Sequence, residues 1–353
     1  MKKALLMFAL LLGISSTAFA QKMDKNEVKQ LQSFLSQAAE NGGTNAQALQ
    51  VSDINAIAAI PGITVDGGHV TAIEWKDKKL AGSLDLSGFS ALTKVDVSRN
   101  KLTALNVSGD AALYELNCSR NLLSALDING CSALTTLKCY KNRLTSLSIE
   151  GATSIKNINC SGNLLVDLNV ANSATLTTLN CQGCHLETLV VSGCENLKNL
   201  YCGYNKLTSL NLFGTTGLTN LNIDSNDISS MLVQSLPSLS TFLCSDNNMT
   251  SLGIRDCNNL LDLVCSYNDL TTLEVTDCPN LQFVDCSYND LTNLSLSNQT
   301  FLQRLLCNNN QLNMLDVSFD SALTYVNCRN NQITDLRTIG CSNLGMLACQ
   351  WFD

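Results

Sequence analysis

The residues able to do chemistry fall into a few groups. Cys181-Gln182-Gly183-Cys184-His185 has the CxxCH spacing through which two thioethers and an axial imidazole hold a c-type haem. Asp262 and Asp285 could lie near each other on one face, but carboxylates lining a solvated surface more often serve solubility or partner contact than glycoside cleavage. The chain has 17 Cys, but His69 and His185 are its only histidines, which leaves little material for imidazole catalysis or a His-rich metal site. No second CxxC completes four zinc ligands, and no nucleophile elbow, phosphate loop or HExxH is present.

What these groups can do depends on the elements that position them, and those elements are periodic. From Leu92 the sequence repeats every 21 residues without insertion, with first positions at Leu92, Leu113, Leu134, Ile155, Leu176, Leu197, Leu218, Leu239, Leu260, Leu281, Leu302, Leu323 and Leu344. The shared pattern is LxxLxCxxNxLTxLxVSxxxx, and a period of this length marks a solenoid. The LxC stretch alternates apolar and polar and predicts a short strand, so stacked repeats make a parallel sheet. Asn at position nine, as in Asn121, Asn268 and Asn310, sits where the chain turns, and its amide can donate and accept to backbone groups that no strand satisfies. The second half of each unit is too short for a regular helix and predicts turns, 3₁₀ pieces or a second short strand.

The period reinterprets the reactive groups. Eleven Cys, from Cys118 to Cys349, share position six and read as a column of buried thiols, too parallel to pair as disulfides. Cys131, Cys194, Cys257, Cys278 and Cys341 form a second column, in which Cys257 and Cys278, one repeat apart, are the best-placed disulfide pair. Cys181 belongs to the first column and Cys184 to the asparagine column, so both point inward, where no haem fits. No cofactor, no metal and no enzymatic activity are expected.

Composition sets the class. The chain is 45% hydrophobic and 15% charged, which argues against disorder. Its net charge of −8 becomes about −10 once Lys2 and Lys3 leave with the leader. An acidic chain without a basic stripe has no footprint for nucleic acid or an anionic membrane. Residues 1–20 read as a signal peptide: Lys2-Lys3, an apolar run from Ala4 to Leu12 too short to span a bilayer, and Ala18-Phe19-Ala20 as cleavage site. This predicts export with cleavage after Ala20, to the periplasm, the cell surface or beyond, and no transmembrane segment.

LxxLxCxxNxL resembles the hallmark segment of leucine-rich repeat proteins, with Cys at one apolar position. The resemblance covers Leu92 to Cys349; the 21-residue unit with TxLxVS looks most like secreted bacterial members, including those of Bacteroides-type bacteria and, more distantly, internalins. It implies an α/β, mostly β, leucine-rich repeat solenoid: a right-handed curved superhelix with a parallel concave sheet. The departures are Ile223 for Cys, and Cys184 and Phe352 for Asn.

The expected organisation is a signal peptide at 1–20, an N-terminal helical cap at 21–69, an entry repeat at 70–91, and 21-residue repeats over 92–353, the last truncated. Asp24 to Asn41 predicts the cap helix, with an Asp24/Glu27 capping box, Val28, Leu31, Leu35 and Ala38 on one face, and Gly42-Gly43 as its stop. The entry repeat turns Ile73, Trp75, Leu80, Leu84 and Leu86 inward. The run from Gly62 to Leu84 is similar to the N-terminal cap of plant-type leucine-rich repeat proteins, without its disulfide, since no Cys precedes Cys118. At the far end Trp351 and Phe352 either fold over the core or leave an edge that pairs with another chain.

Function then rests on what flanks the strands. Positions three, five, seven and eight are expected to face outward, mostly as small polar residues such as Asn117, Ser119, Ser161 and Ser245. The exceptions gather in later repeats: Phe283, Arg304 and Tyr325 at position three; Tyr201, Leu243, Val264, Asp285 and Leu306 at position five; Tyr204, Tyr267 and Tyr288 at position eight. Aromatic, aliphatic and Arg clusters carry most binding energy at interfaces. The resemblance implies recognition of a protein partner, from a host or a bacterial surface, by the concave sheet. The alternatives are glycan binding, with Tyr267 and Tyr288 stacking on sugars, and structural self-association through the C-terminal edge.

Overall fold

The computed structural model describes residues 22–296 and 299–349. The leader and the expected cleavage site, and Trp351 and Phe352, lie outside the described residues. Among those described, no helix is long and apolar enough to cross a membrane.

The N-terminal segment is built on helix α1, Lys25–Leu35. Asp24 caps it by accepting from the Asn26 and Glu27 amides at 2.8 and 3.1 Å. The helix is shorter than the sequence predicts, because Ala38 leaves the helical path to bridge Thr44. The expected Asp24/Glu27 box does not close. Glu27 is buried and turns away to accept from the Val70 amide at 2.8 Å and to pair with His69 Nδ1 at 2.9 Å, tying the helix to the first rung. A reciprocal capping box forms instead at Thr44 and Gln47, opening the short helix α2, Asn45–Ala48. Leu31, Phe34 and Leu35 bury against the first rungs, and Phe34 stacks on Trp75 at 5.7 Å. Trp75 is fully buried, its indole N–H donating to the Pro61 carbonyl at 2.9 Å.

Strands β1 (Ile63–Asp66) and β2 (His69–Glu74) form an antiparallel hairpin that opens a 15-stranded sheet. The other 13 strands are three residues long, from Lys94–Asp96 to Met346–Ala348, and all pair in parallel. Every register is offset by one repeat: Glu115 pairs Thr136, and Arg304 pairs Tyr325. The first step is one residue longer, Ala72 to Lys94. The opposite side carries short parallel pieces, such as Ser230–Gln234, Ser251–Arg255 and Thr272–Thr276. Between the two runs one continuous apolar core, from Leu31 to Cys328, includes Ile73, Trp75, Leu80, Leu84 and Leu86. This is a mostly β, right-handed leucine-rich repeat solenoid whose long parallel sheet forms the concave face.

The asparagines do what their position suggests. Asn163 is buried; its amide donates to the Cys139 and Cys160 carbonyls at 3.1 and 2.7 Å, and its oxygen accepts from Leu144 N–H at 3.0 Å. In the next repeat Cys184 reproduces one of these bonds, its thiol donating to the Cys160 carbonyl at 3.2 Å. A thiol offers no amide oxygen to the Leu165 N–H. We expect Cys184→Asn to stabilise the protein by about 1 kcal/mol, since it supplies that acceptor and a second donor. Thermal unfolding checks this; a lower midpoint than wild type would show that the site has repacked around sulfur.

The thiols sit as the columns require. Cys118, Cys202 and Cys286 are fully buried, and burial pushes each pKa up to about 12. Every described Cys is free. Cys257 and Cys278 are both free thiols, each donating to the carbonyl two residues before it, Arg255 and Thr276. Cys181 and Cys184 are wholly enclosed, so their CxxC spacing reflects two core columns and leaves no approach for a haem edge.

Candidate functional site: one sheet face and one loop flank

The strands cover positions three to five of each repeat. At position eight the backbone swings into the left-handed region, with φ between 54° and 58° at Arg99, Arg120, Lys141, Tyr204, Asp246, Tyr267 and Tyr288. Non-glycine residues there are strained. The turn persists because each position-eight N–H reaches the position-seven carbonyl of the next rung: Arg120 to Tyr140 at 2.8 Å, Tyr204 to Asp224 at 2.8 Å, Tyr267 to Ser287 at 3.1 Å. A second ladder of backbone hydrogen bonds thus runs along the edge of the sheet.

This geometry corrects the expectation for position seven. Ser119, Ser266 and Ser287 are buried, not outward. Ser119 Oγ donates to Asn117 Oδ1 at 2.7 Å and Ser287 Oγ to Asp285 Oδ1 at 2.6 Å, folding each hydroxyl back onto its own strand. Ser161 and Ser245 are half-buried.

The eleven candidate residues divide into groups. Phe283, Arg304 and Tyr325 lie side by side on adjacent strands, with the Arg304 guanidinium 5.3 Å from the Phe283 ring centre and 5.8 Å from that of Tyr325. Beside them run the half-buried Asp285 and Leu306 on the strands of Phe283 and Arg304, and Leu243 and Val264 on the two preceding strands. Tyr267 and Tyr288 stand on the turn beyond the strand ends, exposed and stacked on one another at 4.4 Å with planes 8° apart. Tyr204, 65% exposed, stands apart from that stack on the same turn. Tyr201 lies farther toward the N-terminus, walling a shallow hollow of about 180 Å³ with Lys138, Asn159 and Asn180. Asp285 accepts from the Ser287 amide and hydroxyl, which fixes its carboxylate as part of the turn.

A feature missed in the sequence is charge segregation. The expectation of no basic stripe does not hold: Lys79, Arg99, Lys101, Arg120, Lys141 and Arg143, all exposed, stand on one flank of consecutive rungs. The same flank in later rungs carries exposed Asp227, Asp246, Asp269 and Asp290. The signal was present as residue type at positions eight and ten, but net charge conceals it. Among the described residues no three His, Cys, Asp or Glu side chains gather as a metal-binding set.

Solved structures share this architecture. The functional domain of InlJ from Listeria monocytogenes, described as including a cysteine ladder, superposes with a TM-score of 0.58 and 25% identity, over 78% of this chain and 67% of that one. The leucine-rich effector YopM from Yersinia pestis gives 0.53 and 21%, over 79% and 88%. The internalin InlF from Listeria monocytogenes gives 0.52 and 19%, over 96% and 100%. No family model matches the chain, and no curated protein matches it in sequence.

Proposed function

We propose that the protein is an exported bacterial recognition module that binds a protein partner through the C-terminal half of its concave sheet. The observation that carries this reading is the row Phe283–Arg304–Tyr325 beside the aliphatic strip Leu243, Val264 and Leu306 on neighbouring strands. Rigid presentation favours binding: the strands and the turn ladder hold these side chains in place, so little conformational entropy is lost on association. The fold supports it too, being shared with internalin and YopM structures. Export rests on the leader-like first 20 residues.

The test is a pull-down from host and bacterial surface extracts with the chain from Gln21, followed by affinity measurement on the purified captured protein. Tyr267, Phe283 and Tyr288→Ala together should weaken binding at least tenfold, with the far-ultraviolet spectrum unchanged. Equal affinity of the variant would overturn the assignment of the site. A second reading has one observation in its favour. The hollow beside Tyr201, with Asn159, Asn180 and Lys138, offers an aromatic wall and amides of the kind that hold a sugar. Competition by free glycan, lost in Tyr201→Ala, would transfer the function there.

A further inference from the structure

The flank that follows the sheet carries charge in a mirrored order. Counting repeats from Leu92, position ten is Lys101 in the first, Arg143 in the third, Asp227 in the seventh and Asp269 in the ninth. The entry rung contributes Lys79 and the tenth repeat Asp290 at the same place. Position eight has Arg120 in the second repeat and Asp246 in the eighth. Lys79, Lys101, Arg120 and Arg143 therefore lie as many rungs before the fifth repeat as Asp290, Asp269, Asp246 and Asp227 lie after it; of the other charges on the flank, Arg99 and Lys141 mirror Tyr267 and Ser225, Lys206 mirrors Leu164, and Asp77 mirrors Tyr288. The two columns stay in register, because position-eight and position-ten amides are hydrogen-bonded rung to rung on both sides of that centre. At the centre position eight carries no side chain, being Gly162 and then Gly183, and nothing stands within 4 Å of where a Cβ on Gly183 would be; position ten there carries the exposed Leu164, His185 and Lys206.

We propose that this flank binds a second copy of the chain, antiparallel, about a two-fold axis passing beside Gly183. A two-fold along the radius of a curved solenoid maps the arc onto itself with its direction reversed, so position eight meets position eight and position ten meets position ten. Arg120 of one copy then faces Asp246 of the other, Arg143 faces Asp227, and Lys79 faces Asp290, each pair occurring twice. Lys101 faces Asp269, although within its own chain it already lies 3.7 Å from Glu40. Arg120, Arg143, Asp227 and Asp246 have no ion-pair partner among the described residues. Tyr204, one rung after the centre, faces Gly162, one rung before it, which gives an exposed ring an open place to rest. The contact runs about 50 Å, ten rungs at strand spacing. A parallel or head-to-tail arrangement would put cation on cation over part of this length. Exposed ion pairs are individually weak and are screened by salt, so the association is salt-sensitive. It leaves the sheet residues Phe283, Arg304 and Tyr325 open, covers the turn that carries Tyr267 and Tyr288, and does not rest on the partner reading above.

Sedimentation of the chain from Gln21 tests this from about 5 to about 500 μM, at about 20 mM and about 500 mM salt, where the screening length differs severalfold. A monomer–dimer equilibrium at low salt, weakened at least tenfold at high salt, is expected. Arg120→Glu with Arg143→Glu should be monomeric, and so should Asp227→Lys with Asp246→Lys. Mixing the two variants should restore a one-to-one dimer. His185→Cys, beside the axis, should cross-link to its own copy through a short bis-maleimide, whereas Gln311→Cys should not. A monomer at every concentration, dimerisation indifferent to charge reversal, failure of the reversed pair to recombine, or cross-linking at 311 instead of 185 would each overturn the proposal.

Discussion

Asn268→Ala should destabilise the protein by about 3–5 kcal/mol. Asn268 is 8% exposed; its amide donates to the Cys244 and Cys265 carbonyls at 3.1 and 3.2 Å, and its oxygen accepts from Met249 N–H at 3.1 Å. Alanine leaves three backbone groups in the core without partners, and each unmet buried group costs about 1–3 kcal/mol. Asn268→Asp separates hydrogen bonding from shape. It keeps the accepting oxygen but, when ionised, directs a carboxylate at two carbonyl oxygens. Its loss should therefore be larger at pH 8 than at pH 5, whereas that of the alanine variant should not change with pH. Gln311→Ala, on the exposed turn, should stay within about 0.5 kcal/mol of wild type. Urea midpoints at the two pH values decide the matter; an alanine variant as stable as wild type would mean that the column is not needed.

The second large effect is a dependence of stability on pH that comes from one carboxyl group. Asp110 is fully buried, and neither of its oxygens completes a hydrogen bond. Burial raises its pKa from 3.8 to about 7, against the pull of the Phe89 and Gly88 amides. Because the folded value lies above the unfolded one, the group favours folding most below pH 4, and this contribution is lost as pH rises from 4 to 7. A shift of this size corresponds to about 4 kcal/mol across that window. Asp110→Asn removes the titration, so its unfolding free energy should exceed that of wild type by about 2 kcal/mol or more at pH 8 and match it near pH 4. Denaturation curves at both pH values provide the check, and parallel pH profiles for the two proteins would rule out Asp110 as the source.

The two residues also show what the sequence discloses. The asparagine column was legible because it recurs at one position in eleven repeats, and a recurrent polar residue beside apolar ones has few physical uses. The parallel sheet, the thiol column and the core followed from the same period. Asp110 was not legible: it occupies a position held elsewhere by Cys131, Cys194 and Cys257, and its cost arises from enclosure by neighbouring rungs. The left-handed turn at position eight was hidden because Arg, Lys and Tyr do not favour that conformation, and only the inter-rung ladder explains it. Glu27 was misassigned for the same reason, since its partners His69 and Val70 lie over 40 residues away.

For a protein with a leader-like N-terminus, the thiol columns turn folding into a race. In the native chain the position-six sulfurs from Cys118 to Cys328 are enclosed, and burial suppresses the ionisation of Cys118, Cys202 and Cys286, so an oxidant meets almost no thiolate there. In the unfolded chain the same sulfurs are exposed at intervals of 21 residues, and any two can join. A mispaired bond across two rungs would block the stacking that hides the rest. Survival outside a reducing cytoplasm then depends on how quickly the rungs zip and how rarely they reopen. Unfolding under air would be a one-way exit, whereas the same event in a reductant would be reversible.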